Sequence, residues 1–206
     1  MTIGKFKIAY YLIKESPGEI RSMFAWLDII ILEAINHYYD GTIEYIDIAS
    51  VSPGKIDETS TIDFKDAPSR ARRIVQHGDI IWSCVRPNRG SHAIIWNPTG
   101  NLIASTGFAV LCPEKVPTSY LYQFTTTPAF VGYLSNNAKG VAYPAVSAKD
   151  FEDAGIIVPS ASLLLEFDEV VRPIIDMITQ LNYQNKKLKQ ARDLLLPRLM
   201  NGEIEV

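Results

Sequence analysis

The residue pattern of the chain changes abruptly at Pro159. Residues 162–196 contain no glycine and one proline, Pro173, and from there Ile174, Met177, Leu181, Gln184, Leu188, Ala191 and Leu195 step alternately by three and four. That is the spacing of a heptad seam on one side of a helix. Proline costs about 3 kcal/mol inside a helix but is tolerated in a first turn, so the pattern predicts a short helix before Pro173 and a long one over 173–196. At 1.5 Å per residue the second is roughly 36 Å long. A lone helix cannot leave such a seam in water: either the rest of the chain or another helix must cover it, and the regularity favours another helix. Gln184 at a seam position either sets register and partner number or is simply tolerated.

Upstream, short apolar runs rich in Ile, Val, Tyr and Trp lie between prolines and glycines at 43–51, 79–85, 92–96, 101–105, 107–112 and 155–158. These are the marks of strands in a compact mixed sheet. Helices are expected at 118–134, capped by Thr118 or Ser119, and at 147–154, where Ser147 followed by Asp150 is a weaker form of the capping box. Residues 1–40 are ambiguous: Phe24, Leu27, Ile31 and Ile35 have helical spacing, favouring a helix, while Ile29 to Leu32 also suits a buried strand. The expected fold class is α+β, with a sheet-based domain over 1–159 and a coiled-coil-type helical region over 160–206.

Composition narrows the function classes. With 47% hydrophobic and 21% charged residues, the 206-residue chain has the make-up of a folded, water-soluble protein. The most apolar window, Met23 to Ile35, carries Asp28 and Glu33 and is too short to span a bilayer, so no membrane anchor is expected. Cys84 and Cys112 lack metal or disulfide spacing and read as buried thiols of a reducing, cytoplasmic environment. His37, His77 and His92 have no HExxH spacing, and P-loop, GxGxxG and GxSxG motifs are missing. Asp57, Glu58 and Asp63 read as acidic surface rather than a two-metal site. No catalytic constellation is seen, and no cofactor is expected on this chain.

The formal charge of −3 opposes nucleic-acid binding, but the charges are segregated. Arg70, Arg72, Arg73, Arg86 and Arg89 fall within twenty residues that hold one acid, Asp79, while acids gather at 57–66 and 150–169. A basic face on an acidic protein follows. Within it, Arg86-Pro87-Asn88-Arg89-Gly90 is a turn displaying two guanidiniums and an amide, groups able to bond guanine and adenine bidentately. Ser69-Arg70-Ala71-Arg72-Arg73 has the composition of a phosphate clamp or, more plainly, an exposed helix turn. Ser105, Thr106 and Gly107, and Lys139, Gly140, Tyr143 and Ser147, interrupt apolar runs. Lys139 suits a phosphate and Tyr143 a sugar or base, while turn formation explains Gly107 and Gly140 at least as well. The expected DNA-contacting set is Arg70, Arg72, Arg73, Arg86, Asn88, Arg89, Ser105, Thr106, Lys139 and Tyr143.

These phrases recur together in one family. YIDIAS, SRARR, GDIIWSCVRPN (78–88), ASTGFAVLCP (104–113), AKGVAYPAVSAKDF (138–151), GIIVP (155–159) and LLLPRLMNGEI (194–204) stand in the order found in DNA-specificity subunits of type I restriction–modification systems, which the chain resembles from Tyr45 onward. Residues 1–40 match poorly. Trp26-Leu27-Asp28-Ile29 stands where the family has its opening strand, without the usual glycine-containing lead. The resemblance implies a target recognition domain and a conserved helical region, one of each where the family normally has two. It implies double-stranded DNA as ligand and, as partners, a methyltransferase subunit using S-adenosylmethionine and an ATP-dependent restriction subunit. A half-length unit is expected to pair through its helix, with a second copy or another half-subunit. The alternative is a helical interaction module, or degenerate half-subunit, that binds the methyltransferase without reading DNA.

Overall fold

A computed structural model describes residues 19–22, 27–28 and 41–203. Its strands are β1 (Glu19–Ser22), β2 (Leu27–Asp28), β3 (Thr42–Ile46), β4 (Val51–Ser52), β5 (Lys55–Ile56), β6 (Ser60–Asp63), β7 (Ala71–Ile74), β8 (Ile80–Ser83), β9 (His92–Ile94), β10 (Leu102–Ser105), β11 (Phe108–Pro113) and β12 (Gly155–Val158). Its helices are α1 (Thr118–Thr125), α2 (Pro128–Asn137), α3 (Ala148–Glu152) and α4 (Ala161–Met200).

Two four-stranded sheets carry the architecture, in the orders β2-β11-β8-β9 and β6-β3-β10-β7. The first is antiparallel throughout, while the parallel pairing of β3 with β10 makes the second mixed. All four residues of β8 are buried, because its two faces serve two cores. Ile80 and Trp82 point into a large cluster with Tyr120, Leu121, Phe130 and Phe151 from the helices. Ile81, with Phe108 and Val110 of β11, packs on Ile46, Ala104 and Val75 near the second sheet. The layers therefore run helices, first sheet, second sheet. The α+β reading holds.

Several expectations change in detail. The run 43–51 is broken after Ile46, where Asp47 caps a single 3-10 turn by accepting from Ala49 N–H at 3.1 Å. The helix expected over 118–134 divides at Thr127, whose hydroxyl accepts from Phe130 N–H, with Pro128 in the new first turn. Neither Thr118 nor Ser119 caps its start. Thr118 Oγ1 donates to Gly78 O and Ser119 is buried. At Ser147 the backbone N–H and the hydroxyl both donate to the Asp150 carboxylate, at 2.6 and 2.7 Å, so the weak capping box is real. Leu27 and Asp28 form a strand against Pro113 and Cys112, not a helix. Phe24, Ile31, Ile35, Trp26, Ile29 and His37 lie outside the described residues.

The largest departure is α4. It runs unbroken through Pro173 and Pro197 over 40 residues, roughly 60 Å, where a break was expected at Pro173. Glu169, the residue whose carbonyl Pro173 cannot pair with, sits with Val170, Arg172 and Pro173 on the exposed side of the helix, the side open to solvent. Leu164, Phe167, Val171 and Ile175 are buried in the helix-side core, and the Phe167 ring meets Tyr120 edge-on at 5.9 Å. Polar contacts fasten the same turns. Ser119 Oγ donates to Asp168 Oδ1 at 2.6 Å, Arg172 pairs with Asp168, and Trp96 Nε1 donates to Asp176 Oδ1 at 2.7 Å.

Beyond Ile175 the helix leaves the core. Met177, Leu181, Leu188 and Leu195 are exposed, as are Gln184 and Ala191, and Ile174 is half-buried. At 100° per residue this seam lies more than a third of a turn, roughly 130°, around the helix from the buried face. One helix thus carries two apolar stripes, of which the fold covers one.

His92 gives the fold an acid sensitivity. Its ring stacks on Trp82 at 4.9 Å, and burial pushes the imidazole down to about 4. The unfolded chain, with a histidine near 6.5, binds the proton more readily, so the stability from keeping His92 neutral is complete above about pH 6.5 and is lost as pH falls toward about 4, by up to about 3 kcal/mol. Urea unfolding at pH 7.5 and pH 5 is expected to show about 2 kcal/mol of that loss. The difference between the two pH values is expected to shrink in His92→Phe; an unchanged difference would remove His92 from the account.

Candidate nucleic-acid interface

The sequence-predicted turn after β8 is built from both ends. Ser83 Oγ donates to Val85 O and accepts from Val85 N–H, ending the strand, and Arg86 then takes a left-handed conformation with φ 49°. Pro87, Asn88 and Arg89 form one 3-10 turn, closed by Arg89 N–H on Arg86 O at 2.9 Å and Gly90 N–H on Pro87 O at 3.0 Å. Gly90 is itself left-handed, at φ 64°, a conformation glycine takes without steric cost.

A second loop is tied to this turn. Lys139 and Ala145 exchange backbone hydrogen bonds of 2.8 and 2.9 Å, closing the loop at its base. Gly140 has φ 100°, and a Cβ there would lie 3.0 Å from Tyr143 O, so this glycine is required by backbone shape. Pro144 O accepts from Arg86 N–H at 2.7 Å, and the Arg86 guanidinium sits over the Tyr143 ring, 4.8 Å from its centroid. Between the anchors, Val141 is fully exposed.

The turn between β10 and β11 completes the surface. Cys84 N–H donates to Gly107 O and Cys84 O accepts from Val146 N–H, both at 2.9 Å, so this short segment lies between the 105–107 turn and the 139–146 loop. Thr106 is exposed and its N–H donates to Arg70 O at 2.7 Å. Burial pushes the Cys84 thiol up to about 11, opposed in part by Ala109 N–H and the nearby Arg73 charge. Cys84 is therefore an inert packing residue.

The ten expected contact residues separate by what holds them. Arg86, Asn88, Arg89, Lys139, Tyr143 and Thr106 lie on these connected turns, and neither Arg86 nor Arg89 has an ion pair among the described residues. Ser105 does not belong with them: it is fully buried and its hydroxyl accepts from Gly107 N–H, making it an internal turn cap. The 69–73 segment is also not a helix turn. Ala71 to Ile74 form strand β7, which puts consecutive arginines on opposite faces. Arg70 bonds Asp47 Oδ2 at 2.6 Å and Tyr45 OH at 3.1 Å, so its charge is already matched. Burial pushes the Asp47 carboxyl up, but Ala49 N–H, Tyr45 OH and Arg70 outweigh it and hold it below the usual carboxylate range. Arg72 donates to Ala71 O and lies over Phe64 at 5.3 Å. Arg73 is half-buried, with no acceptor for its Nε among the described residues.

Sequence reasoning missed both Arg70's partner and Val141. YIDIAS places Asp47 two residues from Tyr45, but only the folded sheet brings Arg70 to them. Among the described residues no group of three or more His, Cys, Asp or Glu side chains is placed to hold a metal, and no helix is long and apolar enough to cross a membrane. At Gly107 a Cβ would fall 2.1 Å from Ile48 Cδ1, so a side chain there requires Ile48 to shift.

No protein-family profile matches the chain. It is 32% identical over 97 residues to the type I restriction enzyme HindI specificity subunit of Haemophilus influenzae, a match covering 47% of this chain and 21% of that protein. It is 36% identical over 70 residues to the MjaIX specificity subunit of Methanocaldococcus jannaschii, covering 34% of this chain and 16% of that protein. Among solved structures, a chain described in work on assembly and conformational transition of the type I R-M system superposes with a TM-score of 0.66 at 21% identity, over 92% of this chain and 50% of that one. The HsdS subunit of Thermoanaerobacter tengcongensis gives 0.56 at 23% identity, over 89% and 44%. The matches span about a fifth of the curated relatives' length and half or less of the structural neighbours. The resemblance carried by the sequence phrases thus reappears in curated relatives, and the fold reappears in the solved subunits.

Proposed function

We propose that the chain is a DNA-reading half of a type I specificity subunit, non-catalytic itself, which directs a partner adenine methyltransferase and a restriction subunit to a split target. The observation that carries this reading is the locked pair of turns around Arg86 and Tyr143, which holds at the surface two guanidiniums, Arg86 and Arg89, with no ion pair among the described residues, on a fold shared with such subunits. On this reading the chain works in the cytoplasm, binds no cofactor, and leaves S-adenosylmethionine and ATP to its partners. The sheet-based part reads one half-site. The exposed stripe of α4 joins it to a second reader, and identical readers in antiparallel array select a palindromic split target.

The deciding experiment is co-expression with the genomically adjacent methyltransferase in a host lacking adenine methylation, followed by mapping of methylated adenines. A single split motif is expected, and a palindromic one identifies a homodimer. Stable co-purification without methylation would instead support an interaction module that does not read DNA.

The two sets of arginines separate further. Arg89, which the sequence marks for a base or groove contact, is placed here on a phosphate instead: Arg89→Ala is expected to weaken binding to all duplexes and to lower the slope of log affinity against log salt by about one unit per reader. Arg70→Ala is expected to leave that slope unchanged, because Asp47 already holds its guanidinium. Fluorescence anisotropy over a salt series measures both; a normal slope in Arg89→Ala would take Arg89 off the phosphates.

A further inference from the structure

We infer that Tyr143 is a positioning residue that presents the Arg86 guanidinium, edge first, to a guanine in the DNA half-site. The inference rests on the DNA-reading function proposed above and identifies what that site reads.

Arg86 is held at three points. Its backbone is left-handed at φ 49°, a conformation uncommon for a side-chain-bearing residue, and the following Pro87 restricts the chain beyond it. Its N–H is taken by Pro144 O at 2.7 Å, and its guanidinium lies over the Tyr143 ring at 4.8 Å. The side chain itself has no hydrogen-bond or ion-pair partner among the described residues, unlike Arg70 and Arg72. A strained backbone position retained in order to stack an unpaired cation is costly unless the cation is used.

The stacking decides how it is used. The Arg86 Cζ lies 4.8 Å from the Tyr143 ring centroid; a guanidinium carries its donors in its plane, so a ring held against its face would leave the edge free for a planar pair of acceptors. Guanine O6 and N7 in the major groove are such a pair. Phosphate oxygens also accept bidentately, but the surroundings favour a base. The loop that supplies Tyr143 also lifts Val141, fully exposed, away from the protein. An apolar tip has nothing to meet along a phosphate backbone, whereas major-groove edges include the thymine methyl. Tyr143 is itself excluded as an intercalating wedge, because the cation already occupies one ring face. Holding a long, flexible side chain in place before binding also removes much of its ordering cost.

The test uses the intact chain in complex with the methyltransferase and a duplex carrying the motif mapped by methylation. Each guanine is replaced in turn by 7-deazaguanine, which lacks the N7 acceptor, and affinities are measured for wild type, Arg86→Ala, Tyr143→Ala and Tyr143→Phe. One guanine per half-site is expected at which wild type loses roughly 5- to 150-fold. Arg86→Ala is expected to bind more weakly and to be indifferent to the replacement. Tyr143→Phe, which keeps the ring, is expected to behave as wild type, and Tyr143→Ala to lose most of the sensitivity although Arg86 remains. A motif without guanine, a sensitivity that survives Arg86→Ala, or one that is undiminished in Tyr143→Ala would each overturn the inference while leaving DNA reading intact. Failure of the wild-type complex to prefer the mapped motif over unrelated duplex would overturn the functional reading with it. Tyr143 is well exposed, so its substitutions are expected to leave the unfolding transition in place, and a measured transition shows that each variant is folded.

Discussion

A chain ending at Pro159, where the sequence pattern changes, is expected not to fold. Four side chains beyond that point, Leu164, Phe167, Val171 and Ile175, are buried in the helix-side core with Trp82, Leu121 and Phe151. At about 1.5–3 kcal/mol for each buried side chain of this size, their loss removes roughly 6–12 kcal/mol. That is comparable with the about 5–15 kcal/mol that ordinarily separates a folded domain from its unfolded chain. The truncation also strips Asp168 from Ser119, a hydroxyl that is buried and would be left without that acceptor. A chain ending at Thr179 retains all four side chains, Asp168 and the Trp96–Asp176 bond, and is expected to fold and to bind DNA as a monomer. Circular dichroism and urea unfolding of the two truncations are the measurements. Cooperative unfolding of the 1–159 chain would show that the first turns of α4 are dispensable; its absence places the limit of the folding unit inside the helix.

The first turns of α4 are also where the sequence is least informative. Helical spacing found α4 because periodicity is local, and it found the seam because heptads repeat. The first stripe escaped notice for the same reason. Leu164, Phe167, Val171 and Ile175 have equally good helical spacing, but Pro173 interrupts their run and suggested a boundary. Only the position of Glu169 and Pro173 on the solvent side shows that the proline is harmless. The β8 to β11 strands were legible as continuous apolar runs, since burial on both faces requires them. In contrast, β6 (Ser60–Asp63) and β7 (Ala71–Ile74) were not, because their sequences STID and ARRI lack an apolar run and owe their strand conformation to neighbouring strands.

The candidate interface shows the same division. The 86–90 turn was readable because proline and glycine act locally, and so was the capping box at Ser147. Which arginines lack an ion pair among the described residues was not. Arg70 and Arg86 have the same chemistry in the sequence, yet one faces Asp47 and the other Tyr143, residues 23 positions before and 57 after them. Ser105 was not legible either, because a serine between two apolar runs has the same appearance in sequence whether it faces solvent or closes the turn from within.

Replacing Leu181 and Leu188 together by glutamate is expected to abolish pairing through α4 and, with it, targeted methylation. Both side chains are more than half exposed and lie on the stripe that the fold leaves uncovered. They make no contribution to the core centred on Trp82, so the unfolding transition of the domain is expected to be unchanged. Glutamate on both helices of a pair places like charges within an apolar seam, which strongly disfavours assembly. The functional loss is larger than the loss of contact area suggests. Two linked readers bind a split target roughly 10²–10⁴ times more tightly than one alone, a gain that vanishes when the link is cut. Light scattering is expected to report a dimer for the wild type and a monomer for the double variant, and mapping in the co-expression host is expected to show no methylated motif. Residual one-reader DNA binding should persist with about half the salt slope of the paired wild type, because each reader keeps its own Arg86, Arg89 and Lys139. A wild-type chain that stays monomeric alone but forms a complex with a separately encoded half would assign the stripe to a heterologous partner. Full methylation by the double variant would show that the two readers are joined elsewhere.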